Sequence, residues 1–177
     1  MTDVHAQLTA WFAERCSADR DLGPSEMRAM ADELAGRPEL WQRLVRHDAE
    51  ARVYVRLYRD HHVEAWLLCW VSTQETGLHD HDLSSGAVRV VDGHLSELRM
   101  MLGQVELDET IYAPGESFEF DASRIHDVRH AGERPTVSLH LYSPPLWRMG
   151  HYAVDADGHV ARSSTSYAEE LRPDLSA

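Results

Sequence analysis

Residues 78–95 read LHDHDLSSGAVRVVDGHL, and the two histidines near its start decide how the chain is read. On a strand, residues i and i+2 point to the same face. His79 and His81 therefore aim both imidazoles one way, and Asp80 faces the other. Two bonds from one rigid element are what a metal site asks of a strand. By itself the pair says little, because a chain with twelve histidines produces this spacing by chance. The surroundings have to decide.

Working outward, the sequence after Glu50 breaks into short runs rich in β-branched and aromatic residues. They are RVYVRLY, HVEAWLLCWV, GAVRVV, LSELRMML, QVELDETIY, ESFEFD, TVSLHLY and HYAVD. Turn residues separate them at Asp92-Gly93, Gly103, Pro114-Gly115 and Gly132 to Pro135. Short strands at this spacing, with no helices between them, predict a β-sandwich or barrel over residues 51–162. Residues 1–50 read as helical. Leu8, Trp11, Phe12 and Arg15 fall at helical spacing, as do Met27, Met30, Ala31 and Leu34 between Pro24-Ser25 and Gly36. A third helix is expected from Pro38, burying Leu40, Trp41, Leu44 and Val45. Residues 163–177 form a polar tail, and the 177 residues make one domain.

The chain carries 17 basic and 30 acidic residues, a formal charge of −13, with no basic stripe. That argues against a nucleic-acid partner. The two cysteines, Cys16 and Cys69, make no disulfide framework, so a reducing compartment is expected. No export signal is visible, and the apolar run 65–71 is too short to span a bilayer. A cytoplasmic monomer is the expectation.

A second block follows the histidine pair, YAPGESFEFDASRIHDVRH at residues 112–130. With GLHDH it resembles the two motif blocks of the cupin superfamily, small jelly-roll β-barrels that hold a metal inside. The resemblance implies His126 as a third ligand from a separate strand, with His130 as competitor. Many cupins place a glutamate ligand where this chain has Gly86. Three neutral imidazoles leave a divalent ion its full charge and open positions for an anionic substrate.

Along TVSLHLYSPPL, the side chains of Ser138, His140 and Tyr142 share one face. Beside a metal site this reads as a hydrogen-bond relay ending in a phenol. Together LLCWVSTQETGLHDH, RIHDVRH and VSLHLYSPP resemble cysteine dioxygenase, the non-haem iron member of the cupins, over about residues 54–146. The resemblance implies Fe(II) on His79, His81 and His126 and a catalytic Ser138-His140-Tyr142 relay. It also implies a substrate-binding element at Tyr54-Val55-Arg56, in which Arg56 pairs with the substrate carboxylate. Arg52 points the same way on a regular strand, and Arg59 the other. Gly86 also stands where animal members carry the cysteine that crosslinks to the relay tyrosine, so Tyr142 is expected as a free phenol. Ser143-Pro144 resembles a link that is cis in arginine-type members.

The expected activity is oxidation of L-cysteine by O₂ to cysteine sulfinate, with Fe(II) as the cofactor. The small thiol and O₂ are the partners. The alternatives are a dioxygenase for 3-mercaptopropionate or another small thiol, and a metal-binding cupin without catalysis.

Overall fold

The apolar run at the centre of the sequence lies as a strand buried along its whole length, and its two faces explain the architecture. The computed structural model describes residues 3–16, 19–100, 107–155 and 159–166. The strands are β1 (Val53–Arg59), β2 (Glu64–Trp70), β3 (His79–Asp80), β4 (Ser85–Asp92), β5 (His94–Met100) and β6 (Asp108–Tyr112). They continue with β7 (Ser117–Phe120), β8 (Ile125–Ala131), β9 (Thr136–Ser143), β10 (Arg148–Val154) and β11 (Val160–Ser166). One sheet has the order β1-β2-β9-β4-β7, the other β11-β10-β3-β8-β5-β6. From β3 to β5, and again from β7 to β10, successive strands alternate between the sheets. The chain thus winds as a double-stranded helix around one interior.

In β2, Ala65, Leu67 and Cys69 join Val137, Leu139 and Leu141 of β9 in a core under the N-terminal helices. Trp66, Leu68 and Trp70 face the other way, into the interior between the sheets, with Val88, Val90 and Tyr142. A strand covered on both faces has no solvated side for polar residues, which is why AWLLCW, after Glu64, reads as a continuous apolar run. It also means that Ser138, His140 and Tyr142 are polar exceptions on the interior face of β9.

The helical layer follows its apolar stripes. Helix α1 (Val4–Arg15) is capped by Asp3, whose carboxylate accepts from His5 N at 3.0 Å, and it buries Leu8, Trp11 and Phe12. Helix α2 (Pro24–Ala35) buries Met27, Met30, Ala31 and Leu34, so its methionines are core residues. Glu26 reaches back to accept from Gly23 N at 2.9 Å.

Three expectations change. The third helix is replaced by two short 3₁₀ turns, Pro38–Leu40 and Gln42–Leu44. Trp41 leaves helical geometry at φ −138°, and its indole donates to the Leu34 carbonyl at 3.0 Å, near the end of α2. Leu40 is buried as expected, whereas Trp41, Leu44 and Val45 pack at the margin of the core. Strand β8 has no counterpart among the predicted runs, because His126, Asp127, Arg129 and His130 mask its period. Finally, β11 carries strand structure through Ser166, inside the segment read as a polar tail. The predicted break at Gly103 and residues 167–177 lie outside the described residues. The Asp92-Gly93 turn leads from one sheet to the other. Gly93 has φ +68°, and a Cβ there would lie 2.3 Å from Thr136 Oγ1, so no other residue fits.

Candidate metal centre

His79 sits on the two-residue strand β3, paired with His126 of β8 on one side and His151 of β10 on the other. His81 lies past the end of that strand, before Asp82 at φ 55°. The strand is shorter than the sequence suggests, yet the three rings converge. Their centroids are 4.7 Å apart for His79–His81 and for His79–His126, and 5.2 Å for His81–His126. One nitrogen from each lies within 4.8 Å of the others. His130 is elsewhere, its Nε2 beside the Arg134 carbonyl at 2.9 Å.

Hydrogen bonding orients two of the rings. His79 Nδ1–H donates to the Gly77 carbonyl at 2.9 Å, and His126 Nδ1–H to Glu97 Oε1 at 2.8 Å. Both Nε2 lone pairs then face the cluster, and His126 Nε2 is buried with no protein partner among the described residues. Burial holds His79 and His81 well below the ordinary histidine pKa, with neighbouring imidazoles adding to the shift. Neutral, buried imidazoles with converging lone pairs are the donor set a divalent transition metal takes. The residues fit such an ion.

The position where other barrels offer a carboxylate is closed by packing. Gly86 pairs with Phe120 of β7 and Tyr142 of β9. A Cβ there would lie 2.4 Å from Phe120 Cζ and 3.0 Å from the Leu141 carbonyl oxygen. Phe120 fills the space and stacks on His81, at 4.7 Å and 23° between planes. Gly86→Ala should therefore overpack the barrel, lowering stability by about 1–3 kcal/mol. Urea unfolding of the metal-free protein measures this; an unchanged midpoint would show that Phe120 moves freely.

The relay is continuous. Trp70 Nε1–H donates to Ser138 Oγ at 2.9 Å, Ser138 Oγ lies 2.8 Å from His140 Nε2, and His140 Nδ1 lies 3.3 Å from Tyr142 Oη. With the indole donating to it, the Ser138 hydroxyl gives its own proton to Nε2. Nδ1–H then donates to the phenol oxygen, leaving the phenol proton for the cavity. Burial raises the Tyr142 pKa far above the ordinary phenol value, with Glu64 adding to the effect, so the hydroxyl stays protonated. Tyr142 has no cysteine opposite it, and Ser143-Pro144 is cis.

Arg52, Tyr54, His140 and Tyr142 line one cavity with the three histidines. Arg52 is held from several sides. Its Nε donates to Tyr54 Oη at 2.5 Å and Nη1 to the Glu75 carbonyl at 2.8 Å, while Cζ lies 4.5 Å from the Trp70 ring centroid. Arg56 is not part of that lining. It shares the strand face of Arg52, but its ladder partner is Trp66, whose indole forms the cavity wall at that level. The Arg56 guanidinium carbon sits 6.0 Å from that ring centroid. Parity places both arginines on one face, and of the two only Arg52 lines the cavity.

The family model described as Cysteine dioxygenase type I matches residues 1–154. The chain belongs to this family. Cysteine dioxygenase type 1 of Danio rerio is 25% identical over 133 residues, 68% of this chain and 65% of that protein. The match thus spans a little under two thirds of that relative's length. Among solved structures, a Klebsiella pneumoniae protein with a double-stranded β-helix domain superposes with a TM-score of 0.52 at 13% identity. It covers 71% of this chain and 88% of that one. A Thermus thermophilus protein gives 0.51 at 20% identity, over 58% of this chain and 92% of that one. The fold is the cupin double-stranded β-helix.

Glu97, the hydrogen-bond partner of His126, is a buried residue the sequence reading missed. It is 1% exposed and also accepts from Tyr112 Oη at 3.3 Å and Arg124 Nη1 at 3.4 Å. Its parity with buried Leu95 on β5 was the one signal, an acid at an inward position.

The relay also predicts a pH dependence. Burial, with Arg52 and His126 adding to it, pushes His140 down to about 3. A depressed folded-state pKa means full stability above the unfolded value of about 6.5, lost as pH falls toward the folded one. For His140 this should cost about 2 kcal/mol between pH 7 and pH 5, and the lowered His79 and His81 act in the same direction. His62 has the opposite sign: the hydrogen bonds it donates to Asp21 and Asp19 raise its pKa, a stabilisation lost as pH rises. It is the more exposed group, so the buried histidines dominate. The urea midpoint of the metal-free protein should fall clearly at pH 5, and a flat profile would contradict it.

Proposed function

We propose that this chain is an Fe(II)-dependent thiol dioxygenase whose substrate is a small mercaptocarboxylate, L-cysteine first among them. The observation that carries this is one cavity holding three converging imidazoles, a protonated tyrosine at the end of a fixed relay, and a clamped arginine. His79, His81 and His126 would hold the ion. Ferrous iron there supplies open positions for a thiolate and O₂ and the redox chemistry of sulfur oxygenation.

The protein's own share is positioning. Arg52 offers its guanidinium to the substrate carboxylate, and Tyr54 and Trp70 keep that group from swinging away. We assign this role to Arg52 instead of Arg56. Tyr142 presents its hydroxyl proton to the bound substrate, with His140 and Ser138 fixing the angle. Leu68, Phe120 and Leu146 exclude water, which strengthens both contacts.

One feature supports 3-mercaptopropionate as the second reading. Among the described residues lining the cavity none is acidic, so a substrate ammonium meets no carboxylate. The amine must either be neutral and bound to the metal, as cysteine allows, or be missing.

Anaerobic loading with Fe(II), followed by oxygen uptake with L-cysteine and with 3-mercaptopropionate, tests the proposal. Thiol-dependent uptake with sulfinate formation is expected. No uptake with either thiol by iron-loaded protein would reject the enzyme reading, and preference for mercaptopropionate would change only the substrate.

A further inference from the structure

Asp80 stands between two of the three histidines and faces away from them, and its surroundings are more elaborate than a surface carboxylate needs. It is 7% exposed. Arg162 of β11 binds it with both prongs of its guanidinium, Nε to Oδ2 at 2.7 Å and Nη2 to Oδ1 at 2.9 Å. Tyr152 of β10 donates its hydroxyl to Oδ2 at 2.5 Å, and the Asp82 backbone N–H donates to Oδ1 at 2.9 Å. The acceptor positions of this carboxylate are thus occupied by three different elements.

The route taken by Arg162 is unusual. Strand β11 does not neighbour β3; β10 lies between them. Gly150 of β10 pairs with Asp80 on one side and Ser164 on the other. A Cβ at Gly150 would fall 2.3 Å from Arg162 Nε and 2.5 Å from both Cζ and Nη2. The guanidinium therefore crosses the middle strand through the space a side chain would fill. Asp82, at φ 55° just after His81, adds a second anchor: its carboxylate lies 3.3 Å from Arg148 Nη2. The family match ends at residue 154, so β11 and Arg162 lie beyond it.

We propose that Arg162 is a positioning residue for the metal centre. By gripping Asp80 across Gly150 it fixes the backbone between His79 and His81, and with it the spacing of their rings. The inference rests on reading the three histidines as a metal site. A strand of two residues cannot hold that spacing by its own ladder, which is why a side-chain brace has something to do. Carboxylates and donors behind metal ligands typically set affinity by about 10- to 100-fold.

Titration of the metal-free full-length chain with Co(II), read by its visible ligand-field absorption, is the test. Arg162→Met keeps the stem and removes the guanidinium; Gly150→Ala keeps the arginine and closes its path. Each should weaken Co(II) binding by about 10-fold or more and alter the absorption band, with circular dichroism retained. Arg162→Lys should recover part of the affinity. The double variant should be little worse than either single, because both remove one interaction. Arg134→Met, which loses an exposed pair with Asp92, should match the parent. Parental affinity and spectrum in folded Arg162→Met or Gly150→Ala would overturn the inference while leaving the metal site standing. A parent chain that binds no Co(II) would overturn the metal site itself, and this brace with it.

Discussion

Alanine in place of His81 should remove tight metal binding, and with it all thiol-dependent oxygen uptake, from a chain that still folds. Of the three histidines, His81 is the cleanest to delete. His126 is the hydrogen-bond partner of Glu97, a carboxylate 1% exposed. Its loss removes one of the donors to that buried carboxylate, at a cost of about 1–3 kcal/mol. His79 donates to the Gly77 carbonyl and sits at the centre of its sheet. The Nδ1 of His81, in contrast, has no hydrogen-bond partner among the described residues, so its removal strands nothing there and breaks one side-chain contact, the 3.2 Å approach of its Nε2 to His79 Nε2 inside the cluster. What disappears is one of three nitrogen ligands and the face on which Phe120 stacks. Affinity should fall by more than about 100-fold, beyond the range set by groups behind the ligands. His130→Ala should leave binding intact. Iron content and Co(II) titration measure both, and parental affinity in folded His81→Ala would remove this residue from the site.

How much of this was readable beforehand depends on the range of the interaction. The barrel was legible because short β-rich runs and glycine turns are local signals, and so were the two helices with their apolar stripes. The pair His79 and His81 stood out because parity puts i and i+2 on one side, His126 came only with the family resemblance, and the shared face of Ser138, His140 and Tyr142 on β9 follows the parity rule. Depth along a strand was not legible. Arg52, Tyr54 and Arg56 share a parity, and only the ladder that sets Arg56 opposite Trp66 separates them. Strand β8 shows no apolar period, because His126, Asp127 and His130 interrupt it, and a strand there was expected only through the family resemblance. Glu97 and Arg162 make contacts 29 and 82 residues away in sequence, for which no local pattern exists. The third helix failed on a side-chain hydrogen bond, Trp41 to the Leu34 carbonyl, that outweighed propensity.

That distinction between parity and depth gives the second large effect. Arg52→Ala should lower kcat/KM for a mercaptocarboxylate by roughly 100-fold, about 3 kcal/mol, mostly through KM. A guanidinium in the wall of the cavity can bind a carboxylate with two parallel charge-assisted bonds, and truncation leaves the substrate charge without that partner. Arg56→Ala should change kcat/KM by less than about threefold, the scale of a change away from the chemistry. Arg52→Lys should recover little, since a point charge cannot reproduce the fork that also ties to Tyr54 and the Glu75 carbonyl. A thiol without a carboxylate, such as cysteamine, supplies the control: whatever its rate with the parent, it should be indifferent to residue 52. If Arg56→Ala shows the larger loss and Arg52→Ala the smaller, the substrate reaches the ion from the Trp66 side of the cavity, and the carboxylate partner is Arg56 after all.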